Sequence, residues 1–243
     1  MTKKTGEKNY KVLSGSAIKL LAVVFMLIDH TGLYILSCFE STTRELFSFA
    51  GQSVSWYFIF RKIGRLSFPL FAFLITEGYE HTSNKVRYGL DFFALALVSE
   101  IPWNLIHSGG MFIYPKSQNV MFTLLLGYLA IAAYDKLRDE PYKRLGAEVI
   151  LFALAYVIKA DYGVAGFGLV VTMYALRDEK LLQAICGSCL LYPKWIASLA
   201  FIPINMYSGK RGFIRGKALK YIFYLIYPAQ YLALYFIRKA ILG

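Results

Sequence analysis

Charge is what this chain has least of. Only 17% of its 243 residues are charged, against about 25% in an ordinary soluble domain. Acids are scarcest, fifteen against 27 Lys and Arg. The shortage argues against a soluble enzyme of this length. Internal repeats and low-complexity stretches are missing too, which excludes solenoids and disordered tails. The apolar segments lack the period-two alternation of a membrane β-barrel. Three cysteines are too few for a disulfide framework. Two of them, Cys186 and Cys189, form a CxxC inside an apolar segment. A redox or metal pair needs polar, electropositive surroundings, so these read as buried packing. No metal is expected.

What the chain has is apolar length. Hydrophobic residues make up 57% and aromatics 17%. Apolar runs recur from Ile18 almost to the end, separated by short polar loops. A bilayer core needs about 20 residues of helix to cross it, and backbone in lipid must bond internally. The fold class is therefore all-α, a polytopic transmembrane helix bundle. Nine segments are expected: Ile18–Cys38, Tyr57–Tyr79, Tyr88–His107, Asn119–Tyr134, Ala147–Ala160, Gly163–Leu176, Leu181–Leu191, Trp195–Tyr207 and Tyr221–Ile237. The seventh and eighth are short and read equally as one broken helix or a re-entrant pair. The N-terminus is basic and runs into the first apolar stretch without a small-residue cleavage site, so it is a retained helix. Residues 1–16 form a basic cytoplasmic segment and 17–243 a single transmembrane domain.

The formal net charge of +12 does not indicate nucleic acid, because the cations sit in loops between apolar segments. With the N-terminus inside, seventeen of the 27 basic residues fall on the cytoplasmic side and eight, Arg61 among them, outside. That bias sets the N-terminus in the cytoplasm of a multi-pass protein of the cytoplasmic membrane.

Ionisable side chains at membrane depth cost a few kcal/mol and are functional candidates by default. Asp29 and His30 stand in MLIDHTG, Arg65 in RKIGRLSFPLF and Glu100 in LVSEIPWN. At about 1.5 Å per helical residue, His30, Arg65 and Glu100 all lie about 18 Å from the inner edge. One shared polar site follows. Pro69 and Pro102 free the carbonyls of Arg65 and Val98 near it. The bland alternative is a buried Arg65–Glu100 pair that locks two helices, with His30 bonded to a carbonyl.

Six stretches carry a resemblance: KLLAVVFMLIDHTG, IGRLSFPLFAFLITEGYEHTSN, FALALVSEIPWNL, NVMFTLLLGYLAI, DYGVAGFGLVV and YIFYLIYPAQYLAL. Together they resemble the TraX family over about Ile18 to Ile237. That family is similar to multi-helix membrane acyltransferases of the heparan-alpha-glucosaminide N-acetyltransferase type. The resemblance implies an enzyme that takes acetyl from cytosolic acetyl-CoA, as donor substrate, to an acceptor sugar, amine or peptide terminus at or across the bilayer. Two rivals stand beside it: a transporter or channel with an intramembrane ionisable path, and a non-catalytic assembly factor for surface structures.

Acetyl transfer needs a base for the acceptor proton and donors for the developing oxyanion. His30 suits the base, since histidine titrates near neutral pH; His81 and His107 sit at segment ends. Asp29 points about 100° away from His30, so it serves the acceptor or a neighbouring helix. Glu100 is the expected partner of the imidazole, and Arg65 of the oxyanion or of Glu100. Direct transfer and an acetyl-histidine intermediate both remain open. For the phosphates of CoA the candidates are Lys85, Arg87, Lys210 and Arg211, the last two in SGKRG, where glycines permit close backbone approach.

Overall fold

A computed structural model describes residues 10–243; Lys3, Lys4 and Lys8, assigned to the cytoplasmic side, lie outside the described residues. The chain is predominantly helical. Helix α1 spans Gly15–Tyr34, followed by a 3₁₀ turn at Leu36–Cys38 and a short α2 at Glu40–Thr43. Strands β1 (Phe47–Phe49) and β2 (Gln52–Val54) pair antiparallel. Then come α3 (Trp56–Gly64), α4 (Ser67–His81), α5 (Lys85–Ser108), α6 (Val120–Lys136), α7 (Pro141–Ile158) and α8 (Gly163–Ala175). The last part holds α9 (Lys180–Leu190), a 3₁₀ stretch at Trp195–Ala200 running into α10 (Phe201–Asn205), and α11 (Lys217–Leu242).

Helices occupy all nine expected segments, with two differences. The 39–55 loop contains the β1–β2 hairpin, turned at Ala50 and Gly51, which both have positive φ. The second segment is two helices, kinked at Arg65 and Leu66. Pro69 lacks the N–H that would bond the Arg65 carbonyl, which explains the break there. Pro102, by contrast, sits inside an unbroken α5, whose other hydrogen bonds and packing hold it. Two helical stretches, Gly15–Cys38 and Lys85–Ser108, are long and apolar enough to cross a membrane.

Small residues set the helix crossings. A Cβ at Gly64 would fall 2.2 Å from the Asp29 Cβ, and one at Gly127 2.7 Å from the Val170 Cβ. The backbones of α1 and α3, and of α6 and α8, are thus nearly in contact, as in close-packed membrane helices. The main apolar cluster draws on α1, α4, α5, α6, α8 and α11; Ile18, Leu70, Ala96 and Leu169 in it are fully buried.

The loops gather at two ends. At one, Lys85 Nζ lies 2.7 Å from Asp135 Oδ2, Arg177 Nε lies 3.8 Å from Glu80 Oε1, and Lys220 Nζ lies 2.6 Å from Asp91 Oδ2. The start of α1 joins that end: the amides of Gly15 and Ser16 donate to the carbonyls of Lys210 and Arg211, at 2.8 and 2.9 Å. At the other end, the Asp161 amide donates to the Gln118 carbonyl at 3.0 Å.

Candidate functional site

Helix α1 carries the centre of the site. Ser14 caps its start by accepting from the Ala17 amide, and its apolar body delivers Asp29 and His30 to the last turn and a half. Gly64 lets α3 approach so closely that Arg61 Nη1 reaches Asp29 Oδ2 at 2.5 Å. Both side chains are largely buried, at 16% and 12% exposure. A charge-assisted contact of that kind is among the stronger hydrogen bonds. It engages one carboxylate oxygen; Asp29 Oδ1 is buried without a partner.

His30 turns to α11. Its Nε2 lies 3.1 Å from the Tyr231 hydroxyl, and the two rings are 4.7 Å apart. Its Nδ1 is buried and has no partner. Three further polar atoms nearby share that condition: the Tyr227 hydroxyl and both amide atoms of Gln230. Residues 227, 230 and 231 stand one helical turn apart, so they share a face of α11. Asp29, His30 and Tyr227 line one small cavity of about 40 Å³, closed by Ser67, Met121 and Tyr162. By volume it holds a few waters or a group of acetyl size. Natural interiors leave few polar atoms unsatisfied, because each costs about 1–3 kcal/mol. Five such atoms gather on two facing helices, within reach of one another or of a bound polar group.

A second imidazole lies further out. His107 Nδ1 is 2.8 Å from the Trp103 carbonyl, which can only accept, so that nitrogen carries hydrogen. Its Nε2, 2.9 Å from the Tyr34 hydroxyl, accepts.

Of the expected catalytic set, Asp29 and His30 meet at this cavity, and Arg65 stands at the α3–α4 kink close to Tyr162 and Asp29. Glu100 corrects the expectation. It does not orient His30 or pair with Arg65. Its Oε1 accepts from the Asn119 amide at 2.9 Å and from the Asn119 side chain, which caps α6. The α6 start needs an acceptor for its free amides, and Glu100 supplies one. The imidazole partner is Tyr231 instead. Arg61 counts as an outer-side cation in the charge balance, four residues into the second segment, but the α1–α3 contact makes it the Asp29 partner. The sequence held one usable sign of the α11 residues: Tyr227, Gln230 and Tyr231 at i, i+3 and i+4 in the uncharged middle of the helix.

The CoA candidates lie at the opposite end and do not form one cluster. Lys85 is engaged by Asp135 and lies over the Tyr79 ring at 4.1 Å. The Asp135 carboxyl is held below its usual range, first by the Lys85 ammonium and then by the Tyr79 hydroxyl. Arg87 is exposed beside a cleft with Asn84, Asp91 and Lys220. In SGKRG, the close approach that glycine permits serves the protein itself. Gly212 has φ +88°, and a Cβ there would fall 2.4 Å from Ser14 Oγ. The Lys210 and Arg211 carbonyls cap α1, while their side chains stay exposed.

Fold and site define a bundle of apolar helices around buried, unsatisfied acid, imidazole and phenol groups. The chain belongs to the TraX family: the family profile, described as "TraX protein", matches residues 14–238. It is 28% identical over 246 residues to the "Probable fimbrial assembly protein FimC, serogroup H1" of Dichelobacter nodosus, covering 89% of this chain and 92% of that protein. No solved structure matches. Family membership and the two membrane-length helices mark a membrane protein.

Proposed function

We propose that the protein is a membrane-embedded acyltransferase that moves acetyl from cytosolic acetyl-CoA to an acceptor, with His30 as base. The observation that carries this reading is the set of unsatisfied buried atoms around one cavity, a ring nitrogen, a carboxylate oxygen and a phenol, with the unsatisfied amide of Gln230 on the same face of α11. A lone-pair nitrogen takes the acceptor proton; a phenol or amide N–H stabilises the oxyanion; the Asp29 oxygen holds the acceptor group. The topology is a multi-pass one of about nine segments with the N-terminus cytoplasmic. It is supported by the basic bias and by the gathering of the predicted inner loops at one end. Acetyl-CoA then approaches from that end, with Arg87, Lys210 and Arg211 free to meet its phosphates and Lys85 engaged elsewhere.

The test uses purified protein in lipid nanodiscs with acetyl-CoA and an envelope extract as acceptor source. Free thiol is followed against the His30→Ala variant, and the melting transition of both is recorded. Wild type should release CoA and a folded His30→Ala should not. Equal release, or none from either, removes the enzyme. The name of the Dichelobacter relative favours a second reading, a non-catalytic factor in surface-fibre assembly. It predicts that His30→Ala leaves fibre assembly intact.

A further inference from the structure

We infer that the β1–β2 hairpin is an interfacial anchor, with the rings of Phe47 and Phe49 seated at the acyl boundary of the bilayer and its backbone in the headgroup layer. The inference rests on the chain being a membrane protein and is independent of the acyltransferase reading. Helix α1 and the turn after it, Gly15–Cys38, make 24 residues, or about 36 Å at about 1.5 Å each. A hydrocarbon core of about 30 Å is therefore crossed by Cys38. The hairpin begins in the interface beyond it, at the end opposite the 206–214 loop that caps the start of α1.

The hairpin fits that layer on both its faces. Phe47 and Phe49 share one face, at 54% and 72% exposure, while Ser48 and Ser53, an exposed cross-strand pair, hold the other. Val54, opposite Phe47 in the register, is buried, so the apolar face starts on the helix bundle and runs out past it. No charge occurs from Leu46 to Phe60, although Glu40, Arg44 and Glu45 stand just before. A strand edge that meets water is normally guarded by charge, and a lone two-stranded hairpin is marginal in water. Among the described residues these two strands pack chiefly on each other. Open strand edges are not tolerated in hydrocarbon, so the backbone stays among the headgroups and only the two rings descend. Phe39 and Trp56, both exposed, flank the hairpin in the manner of an interfacial aromatic belt.

The anchor bears on the site through α3. Ser55 follows β2 directly and caps α3, accepting from the Phe58 amide at 3.2 Å. Helix α3 in turn carries Arg61 to Asp29. The depth of the hairpin thus sets the depth of that ion pair in the bilayer.

Spin labels report this depth. Full-length protein with Cys38, Cys186 and Cys189 replaced by serine is labelled at Phe47→Cys, Ser48→Cys, Phe49→Cys or Ser53→Cys, one at a time, in phosphatidylcholine–phosphatidylglycerol nanodiscs. All four positions are exposed, so the labels require no repacking. Collisions with oxygen, which concentrates in lipid, are compared with collisions with a nickel chelate confined to water. The oxygen-to-nickel ratio should be at least about threefold higher at positions 47 and 49 than at 48 and 53, because strand side chains alternate across the interface. With the label at Ser53, adding Phe47→Ser and Phe49→Ser should release the hairpin and raise both nickel collisions and label mobility. High nickel collision at all four positions overturns the anchor and puts the hairpin in water. Shielding of positions 47 and 49 from both reagents also overturns it, and shows that protein covers the rings. So does an unchanged Ser53 label in the double-serine variant, since the rings then hold nothing.

Discussion

Replacing Gly64 with alanine should be the most damaging single-methyl change in the protein. The added carbon would lie 2.2 Å from the Asp29 Cβ, 2.5 Å from its Cα and 2.5 Å from Oδ1. Carbon atoms pack at about 3.5–4.0 Å, so α1 and α3 must part by more than about 1 Å, and backbone cannot step aside as a flexible side-chain tip can. Overpacking of this kind costs about 1–3 kcal/mol. The same displacement stretches the 2.5 Å contact between Arg61 and Asp29, and separating a largely buried pair costs about 3–5 kcal/mol. The expected loss is therefore at least about 3 kcal/mol. Gly146→Ala is the control. Gly146 is inside α7 with nothing within 4 Å of its Cβ, so alanine there should stabilise by about 0.5–1 kcal/mol. Reversible unfolding in mixed micelles, read by circular dichroism, compares the two. A Gly64→Ala variant as stable as wild type would refute the α1–α3 contact and with it the placement of Arg61.

Four further outcomes follow from the same geometry. Asp29→Asn and Arg61→Gln, alone and together, should show a coupling of at least about 1 kcal/mol in a double-mutant cycle of unfolding; additive effects would mean that they do not touch. Glu100→Gln should lower stability by about 1–2 kcal/mol through the α6 cap while turnover per folded molecule is retained, measured as CoA release normalised to the folded fraction. Asp135 has its folded pKa depressed by Lys85 and Tyr79, so its contribution is present above about pH 4 and is lost as pH falls through the folded value. The melting difference between wild type and Asp135→Asn should therefore shrink below about pH 4. A cysteine introduced at Lys210 should react with an impermeant reagent only in opened cells; labelling of intact cells would reverse the topology.

The periodic apolar runs were readable because a helix in lipid or in a core writes its length directly into the sequence. Asp29 and His30 were readable for the complementary reason: ionisable groups amid such runs are costly and conspicuous. Their partners were not. Arg61 stands near the outer end of its segment beside Lys62 and reads as an interfacial cation, and only the missing side chain of Gly64 brings it to Asp29. Glu100 shares the depth of His30, but depth fixes one coordinate of three, and the free amides at the start of α6 claimed it first. Tyr231 is a phenol among many in a chain with nineteen tyrosines, so its pairing with an imidazole 201 positions away depends on how α11 returns against α1. The β1–β2 hairpin escaped because Ala-Gly is a weak turn signal beside Asn-Gly.

The capping of α1 by the 206–214 loop has a consequence for the order in which the molecule is built. The Leu13 amide donates to the Met206 carbonyl, the Ser208 amide to the Leu13 carbonyl, and the Ile214 amide to Ser16 Oγ. These partners are separated by almost the whole chain. A ribosome adding about 5–20 residues each second delivers the loop roughly 10–40 s after Ser16. Throughout that interval the first helix waits with its leading amides facing water or lipid headgroups. Closure of α1 is thus a zipper between a segment made early in synthesis and one made late. A nascent protein halted before Met206 holds an open first helix, and membrane quality control has a defined stage at which to recognise it.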